Sequence, residues 1–412
     1  MKMMRWNGAC LCAEENVPFP EGAREAAAPF APLVFLVNRD PMISRGLHAI
    51  RAAAELYETE SVDCLTPCTA ADALPPALQE LIDAHGAAVL NTAFRNAFAI
   101  LDAFLHRKRE GLRVTLVGLG DVGGTVLTGL KLLGREIAEI ALFDPNEALC
   151  RRYEMELNQV LPIRDGEPMP RVTLCREEAL FECDVFINTA AKGVPGLDSG
   201  VQDVRMAQYA ANTSLLDVYA KKARAAGFRG LFCQVADPVD HLSRGVFLAS
   251  NRDAAGTYDF AGLLPEQIHG FGLGVMAARA AYCAEQDGVS FAKGRVYGPH
   301  GAGLIVANAC DADYDAAVSE RLTRETREAN LRVRELGFKP YLAPGLSSAA
   351  ISILRMLRGE PHYGAVPLDG AYFGCVSTLM PGGVLLRREE ICAPLLERLR
   401  DAHRALKEFG YE

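Results

Sequence analysis

Two groups of residues in this 412-residue chain have the types and spacing that chemistry needs. The first is His300, set in Val-Tyr-Gly-Pro-His-Gly-Ala-Gly (296–303). An imidazole held in place can exchange protons near neutral pH and so serve as a general acid/base. Glycine and proline also mark ordinary turns that tolerate a histidine, so these residue types alone leave both readings open. The second group is Gly118-Leu119-Gly120-Asp121-Val122-Gly123, a G-x-G-x-x-G segment. Its first glycine permits a tight turn, its second lets a pyrophosphate approach the backbone, and its third lets helix and strand pack closely. Free N–H groups and the helix dipole at such a loop favour phosphate charge. Asp144 stands 21 residues after Gly123. A carboxylate there accepts hydrogen bonds from adenosine ribose hydroxyls and repels a 2′-phosphate, which points to NAD rather than NADP. The competing reading is a structural glycine turn.

The elements around these residues must position them. Arg113–Val117 reads as a short strand feeding the glycine loop, and Val126, Leu127, Leu130 and Leu133 then share one helical face. Further strands are expected at 137–144, 171–175, 183–191 and 231–238, with a helix near 202–227. Strands alternating with helices imply a parallel sheet with crossover helices. Before this region, residues 33–37 read as a buried strand, and 45–58 and 75–84 have helical character. An amphipathic helix is expected over 88–108, where Leu90, Phe94, Ile100, Leu101, Phe104 and Leu105 recur near the 3.6 period. Residues 1–32 show no clear period and read as a loose arm. The expected fold class is α/β: a Rossmann-type doubly wound parallel sheet over 112–250, a C-terminal α+β catalytic domain over 251–412, and an N-terminal α/β extension over 1–111 whose chemistry has no name.

Composition narrows the partners. The net charge of −9 argues against nucleic acid and anionic membrane surfaces. The 12 cysteines are scattered, with no C-x-x-C pair and no histidine cluster at zinc spacing, so no metal is expected. The first residues lack the apolar run of a signal peptide, and no stretch is apolar enough to span a bilayer. The expected compartment is therefore a reducing cytoplasm with free thiols.

From about residue 112 to its end the chain resembles the lactate/malate dehydrogenase family. The resemblance rests on ordered matches: Cys-Asp-Val-Phe-Ile-Asn-Thr-Ala-Ala (183–191), Val-Arg-Met-Ala-Gln-Tyr-Ala-Ala-Asn (204–212), Ala-Asp-Pro-Val-Asp-His-Leu (236–242), Gly-Leu-Gly-Val-Met-Ala-Ala-Arg (272–279), the histidine loop, and the closing helix from Arg387. It implies that His300 is the acid/base, that Arg279 grips a substrate carboxylate, and that Arg205 on a closing loop polarises the reacting carbonyl. It implies a cofactor site made of Gly118, Gly120, Asp121, Val122, Gly123, Asp144, Thr189, Ala190 and Asn212, holding NAD. It implies a small carboxylic acid as substrate, and a homo-oligomer, to which the apolar helix at 88–108 would add surface.

Three positions depart from the family pattern. Met276 stands where an aspartate orients the histidine ring. Asp237 replaces an asparagine, and is either a substitute partner for His300 or a charge that repels an anionic substrate. The loop between Ala191 and Arg205 is about five residues longer, so the side chain of the substrate is open; Lys192, Asp198, Gln202 and Asp203 are its candidate readers. The alternative function is an NAD(H)-binding protein of the same fold without effective turnover, serving in sensing or scaffolding.

Overall fold

The computed structural model describes residues 1–14, 16–68, 74–192 and 204–411, apart from the side chains of 204–207. Six parallel strands form the middle of the molecule: β7 (Leu112–Val117), β8 (Ile137–Phe143), β9 (Arg171–Leu174), β10 (Val185–Asn188), β11 (Leu231–Gln234) and β12 (Ile268–Gly270). They lie in the order β9-β8-β7-β10-β11-β12. The chain starts at β7, runs outward through β8 and β9, then returns to the other side of β7. This is a doubly wound sheet with its switch point between β7 and β10, where such sheets open a crevice at the carboxyl ends of their strands. Helices α3 (Asp121–Leu133), α4 (Glu147–Leu157), α5 (Val204–Ala225) and α6 (Val239–Ser250) are the connections. Helix α3 forms as expected, with Val126, Leu127 and Leu130 fully buried and Gly134 after its last residue, but Leu133, expected on the same face, is exposed in the last turn. Strand β12 lies beyond residue 250, so the parallel sheet draws its last strand from the C-terminal half.

The C-terminal half adds α7 (Leu273–Gln286), a hairpin of β13 (Arg295–Tyr297) and β14 (Ile305–Ala307), α8 (Ala316–Glu335), a π-helical segment (Pro344–Ile351) running into α9 (Ser352–Arg358), the antiparallel strands β15 (His362–Leu368), β16 (Ala371–Met380) and β17 (Gly383–Leu386), and α10 (Ala393–Lys407). The extension contributes β1 (Lys2–Trp6), β2 (Ala9–Ala13), β3 (Arg24–Glu25), β4 (Leu33–Val37), β5 (Leu47–Ile50), β6 (Ala87–Asn91), α1 (Pro76–His85) and α2 (Ala97–Leu105). Among the described residues, all strands except the β13–β14 hairpin join one 15-stranded sheet, in the order β3-β1-β2-β4-β6-β5-β17-β16-β15-β12, continuing into the parallel strands. The joints are narrow. Strands β12 and β15 share one registered pair, Gly270 with Ala365, and β17 meets β5 at Val384 and His48.

The extension differs from the sequence expectation in three places. Residues 1–32 are not a loose arm: β1 and β2 form a hairpin around Asn7 and Gly8, both at positive φ. Asn-Gly is the strongest short signal for that turn, and all five residues of β2 are buried. The segment 45–58 is a strand and a short 3-10 turn (Ala53–Tyr57). Tertiary contacts decide this, since both backbone N–H groups of Gly46 and Leu47 donate to the buried Glu266 carboxyl at 2.9 Å. The span 88–108 is split into β6 and a nine-residue α2. Ala-Ala-Val-Leu-Asn is buried on both faces of the sheet, a pattern that hydrophobic period does not separate from a buried helix. Ile100, Leu101 and Phe104 are buried inside the chain, so most of the apolar face expected to add subunit surface is spent on this chain's own core.

Candidate active site

The glycine loop crosses from the end of β7 to the start of α3. Gly118 has φ +88°, and a Cβ on it would lie 2.6 Å from the Cα of Ala190. A Cβ on Gly123 would lie 1.9 Å from the Gly118 carbonyl oxygen. Both glycines are therefore needed for the chain to close on itself. Gly120 faces open space, with nothing within 4 Å of a Cβ built on it. It is also the N-cap of α3 and supplies no side chain to cap that helix. The first turn of a helix leaves backbone N–H groups free, and Asp121, Val122 and Gly123 make up that turn. Thr189 donates its hydroxyl to the carbonyls of Val117 and Gly118, at 2.9 and 2.5 Å, tying the end of β10 to the loop. Asp144 follows β8 and accepts from Leu119 N at 2.8 Å and from Asn146 N at 2.9 Å. Its two oxygens are thereby aimed, and each keeps a lone pair for a hydroxyl. An open glycine, an uncapped helix start and a fixed carboxylate suit a dinucleotide's phosphates and ribose.

Further along the carboxyl edge, β10 and β11 end in a chain of buried amides. Asn188 Nδ2 donates to Gln234 Oε1 at 2.9 Å, and Gln234 Nε2 to the Ala236 carbonyl at 2.8 Å. Asn212 of α5 joins this edge: its Nδ2 donates to the Asp237 carbonyl, and its Oδ1 accepts from Lys192 N. Lys192 also donates its ammonium to Ser214 Oγ at 2.7 Å. Arg205 lies at the start of α5, and its side chain falls outside the described residues, as do Asp198, Gln202 and Asp203.

His300 sits at the tip of the β13–β14 hairpin. Gly298, Gly301 and Gly303 around it all have positive φ, and Gly298 N donates to the Gly374 carbonyl on β16. The loop is thus built from residues that accept this backbone, and it is anchored to the sheet. The ring is held at one nitrogen: Nδ1 lies 2.7 Å from the Gly272 carbonyl oxygen. A carbonyl only accepts, so the proton is on Nδ1 and the free position is Nε2. The backbone N–H of His300 donates to Asp240 Oδ2 at 2.9 Å. Burial pushes the Asp240 carboxyl up to about 6, against the pull of that hydrogen bond and of His300. Asp237 stands on the Nε2 side at 3.8 Å, beyond hydrogen-bond range, and 53% of its side chain is exposed. At that distance Asp237 does not hydrogen-bond the ring; it places a half-exposed charge in front of Nε2. Met276 is buried and contacts Arg279 through its sulfur, 3.8 Å from Nη1.

Arg279 extends from α7. Its Nη2 donates to Asn330 Oδ1 of α8. Burial lowers its pKa, and the Asp237 charge works in the opposite direction. The guanidinium lines a cavity of about 700 Å³ between α7, the end of α8 and the 338–344 segment, with Tyr282, Leu336, Phe338 and Tyr341 among its walls. The sequence expectation named His300, Arg279 and the glycine loop. They missed Gly272 and Asp240, because a backbone carbonyl and a buried second-row carboxylate leave no spacing of their own. Only the Val-Asp pair after Pro238 marked the latter.

No family model matches the chain. An L-lactate dehydrogenase from Staphylococcus saprophyticus is 28% identical over 194 residues, 46% of this chain and 54% of that protein. The chain thus spans about half the length of the curated relatives it matches. Among solved structures, a lactate dehydrogenase from a Medee basin deep-sea metagenome library superposes with a TM-score of 0.59 at 17% identity, over 73% of this chain and 98% of that one. A malate dehydrogenase from Archaeoglobus fulgidus, solved in complex with NADH, gives 0.59 at 19% identity, over 72% and 98%. The uncovered part of this chain matches the size of the extension. No helix among the described residues is long and apolar enough to cross a membrane.

Proposed function

We propose that this chain, a divergent member of the lactate/malate dehydrogenase family, is an NAD-dependent oxidoreductase that moves a hydride between nicotinamide and a 2-hydroxy/2-oxo carboxylic acid. The observation that carries this is the His300 ring, tied at Nδ1 to the Gly272 carbonyl with Nε2 left open beside the carboxyl edge of the parallel sheet. The open Gly120, the uncapped start of α3 and Asp144 support a site for the diphosphate and ribose of NAD, and the bound cofactor would accept the hydride from the hydroxyl-bearing carbon or return it to the carbonyl carbon in the reverse direction. His300 Nε2 takes the proton from the substrate hydroxyl, or returns it to the carbonyl oxygen in the reverse direction. Arg279 holds the carboxylate with two parallel N–H groups, a fork that fixes both distance and plane. Arg205 polarises the carbonyl oxygen.

The Asp237 carboxylate supports a second reading. A negative charge 3.8 Å from Nε2 weakens the hold on an anionic substrate, and a protein that binds NAD(H) without effective turnover would tolerate it. One experiment separates the two: NADH oxidation against a panel of 2-oxo acids that includes bulky and aromatic members. Turnover of any member supports the dehydrogenase. Tight NADH binding with no turnover on the whole panel overturns it in favour of the binding protein.

A further inference from the structure

The histidine at the tip of the hairpin presses against a helix start that has lost its own cap. Gly272 is the N-cap residue of α7. It must be glycine, because a Cβ there would lie 2.7 Å from the Cβ of His300 and 2.8 Å from its Cγ. Seating the histidine therefore removes the side chain that would cap the helix, since an N-cap serine or aspartate normally accepts from the N–H three residues on. In α7 that N–H belongs to Val275. It donates instead to Ser348 Oγ, at 2.9 Å, from the π-helical segment. The Ser348 hydroxyl then donates to the Gly272 carbonyl at 2.7 Å, the same oxygen that takes the His300 Nδ1 proton. Ser348 is 3% exposed, so both bonds are shielded from bulk solvent.

We propose that Ser348 is the positioning residue for His300, doing through a backbone carbonyl what a carboxylate would do directly. The chain of contacts is Val275 N–H to Ser348 hydroxyl to Gly272 carbonyl to His300 Nδ1–H. With Met276 buried against Arg279 and Asp237 on the opposite nitrogen, no charged group of the described residues touches Nδ1. A carbonyl pinned by a second donor keeps its direction, and its direction selects the ring tautomer that leaves Nε2 free. The π-helical segment carries the serine to this point while packing on the helix of the glycine loop: a Cβ on Gly345 would lie 2.7 Å from Thr125 Cβ, and a Cβ on Gly129 would lie 2.6 Å from Ala350 Cβ. Such segments recur at functional sites because they shift the register of the side chains that follow.

The inference rests on the dehydrogenase reading for its kinetic consequence but not for its structural one. The test uses the full-length protein with 15N-labelled imidazoles, the His300 signal being assigned by its absence in His300→Gln. Wild-type His300, when neutral, is expected to carry its proton on Nδ1. Ser348→Ala is expected to mix the two tautomers, and to lower kcat on the order of tenfold with KM and NADH affinity unchanged. Ser348→Thr, which keeps the hydroxyl, is expected to restore both. If Ser348→Ala does not fold, Ser348→Cys, with a much weaker donor and acceptor, must mix the tautomers instead. An unchanged tautomer signal in a folded Ala or Cys variant overturns the proposal and leaves Ser348 as a helix cap alone. Absence of turnover in the wild type, with the tautomer still responding to Ser348, overturns the dehydrogenase reading and supports this one.

Discussion

The parallel sheet and the extension are joined edge to edge, yet they are specified in different ways. In β7 to β12 each strand ends in a residue with a local reason to be there. Gly118 turns on Ala190, Asp144 aims at the loop, and the amide of Asn188 meets Gln234 across two strands. In the extension the decisive contacts come from elsewhere in the chain. Glu266 satisfies the N–H groups that begin β5. Arg388, beyond β17, is paired with Glu58 at 2.7 Å and Glu55 at 3.3 Å. Phe94 meets Phe247 of α6 edge to face at 6.3 Å. The site-bearing half is built from its own turns, and the extension is built against the rest.

If that contrast is right, the largest effect will come from removing residues 1–111. The sheet would lose six strands, β17 would expose its edge, and the carboxyl of Glu266 would lose its donors. Edge strands without partners invite aggregation. The truncated chain is expected to be insoluble or to unfold without a cooperative transition. A soluble, cooperatively melting product would show that the parallel half stands alone.

This contrast also explains what could be read beforehand. The glycine loop, the following helix and the strands of the parallel sheet were legible, because their periodicity and their turn residues agree with the tertiary result. His300 and Arg279 were singled out through the family resemblance, which rests on several ordered matches rather than on either residue alone. The 45–58 segment was not, because its conformation depends on Glu266, more than two hundred residues away. Asn7-Gly8 carries a legible hairpin signal within a segment that otherwise shows no period. The support of His300 was not legible, because it passes through the carbonyl of Gly272, and a main-chain oxygen has no sequence.

A smaller break in the same joint is Arg388→Met. Three carboxylate contacts are lost, leaving Glu58 and Glu55 partly buried without their guanidinium. Uncompensated buried charge costs about 3 to 5 kcal/mol. The melting temperature should fall by roughly 5 °C, and NADH affinity should not change. A loss of NADH binding in the folded protein would show that the two halves are coupled more tightly than the contrast allows.

The pH dependence of stability sharpens the contrast, because the carboxyl that meets the extension and the buried histidines of β12 and β15 have opposite signs. Burial raises Glu266 to about 8, above its usual value, so the folded state keeps a proton that the unfolded chain releases. Its contribution is present below pH 4.5 and is lost as pH rises through 8. Burial lowers His362 to about 4 and His269 to about 3. Their contribution is present above pH 6.5 and is lost as pH falls toward 4 and 3. Wild-type melting temperature should therefore decline on both sides of a maximum. Glu266→Gln, which cannot ionise, should gain on the wild type by roughly 5 °C between pH 5 and pH 8. A constant difference across that range would mean that Glu266 is ionised throughout and holds the extension as a charge.

Within the site, Arg279→Lys should lower kcat/KM for a 2-oxo acid on the order of 100-fold and leave NADH affinity unaltered, because an ammonium cannot make two parallel bonds to a carboxylate. Retained activity would show that the substrate is not gripped through its carboxylate.

The smallest expected effect concerns the cofactor, and it isolates a single charge. Asp144 accepts from Leu119 N and Asn146 N, so it has a structural role in the loop beside the one proposed for it at the ribose. Asp144→Asn keeps an oxygen for one of these N–H groups and removes the negative charge. Wild type should bind NADH at least tenfold more tightly than NADPH, about 1.4 kcal/mol, since a 2′-phosphate would meet the carboxylate head on. In Asp144→Asn that repulsion is gone, and the two affinities should come within about threefold, chiefly through weaker NADH binding as the ribose hydroxyls lose a charged acceptor. Fluorescence titration of both cofactors with both proteins measures all four affinities. If the melting temperature of the variant drops while the ratio stays at tenfold, Asp144 serves the loop alone and the discrimination lies elsewhere. If the ratio closes with the melting temperature unchanged, the carboxylate is the residue that reads the ribose, and the glycine loop stands without its charge.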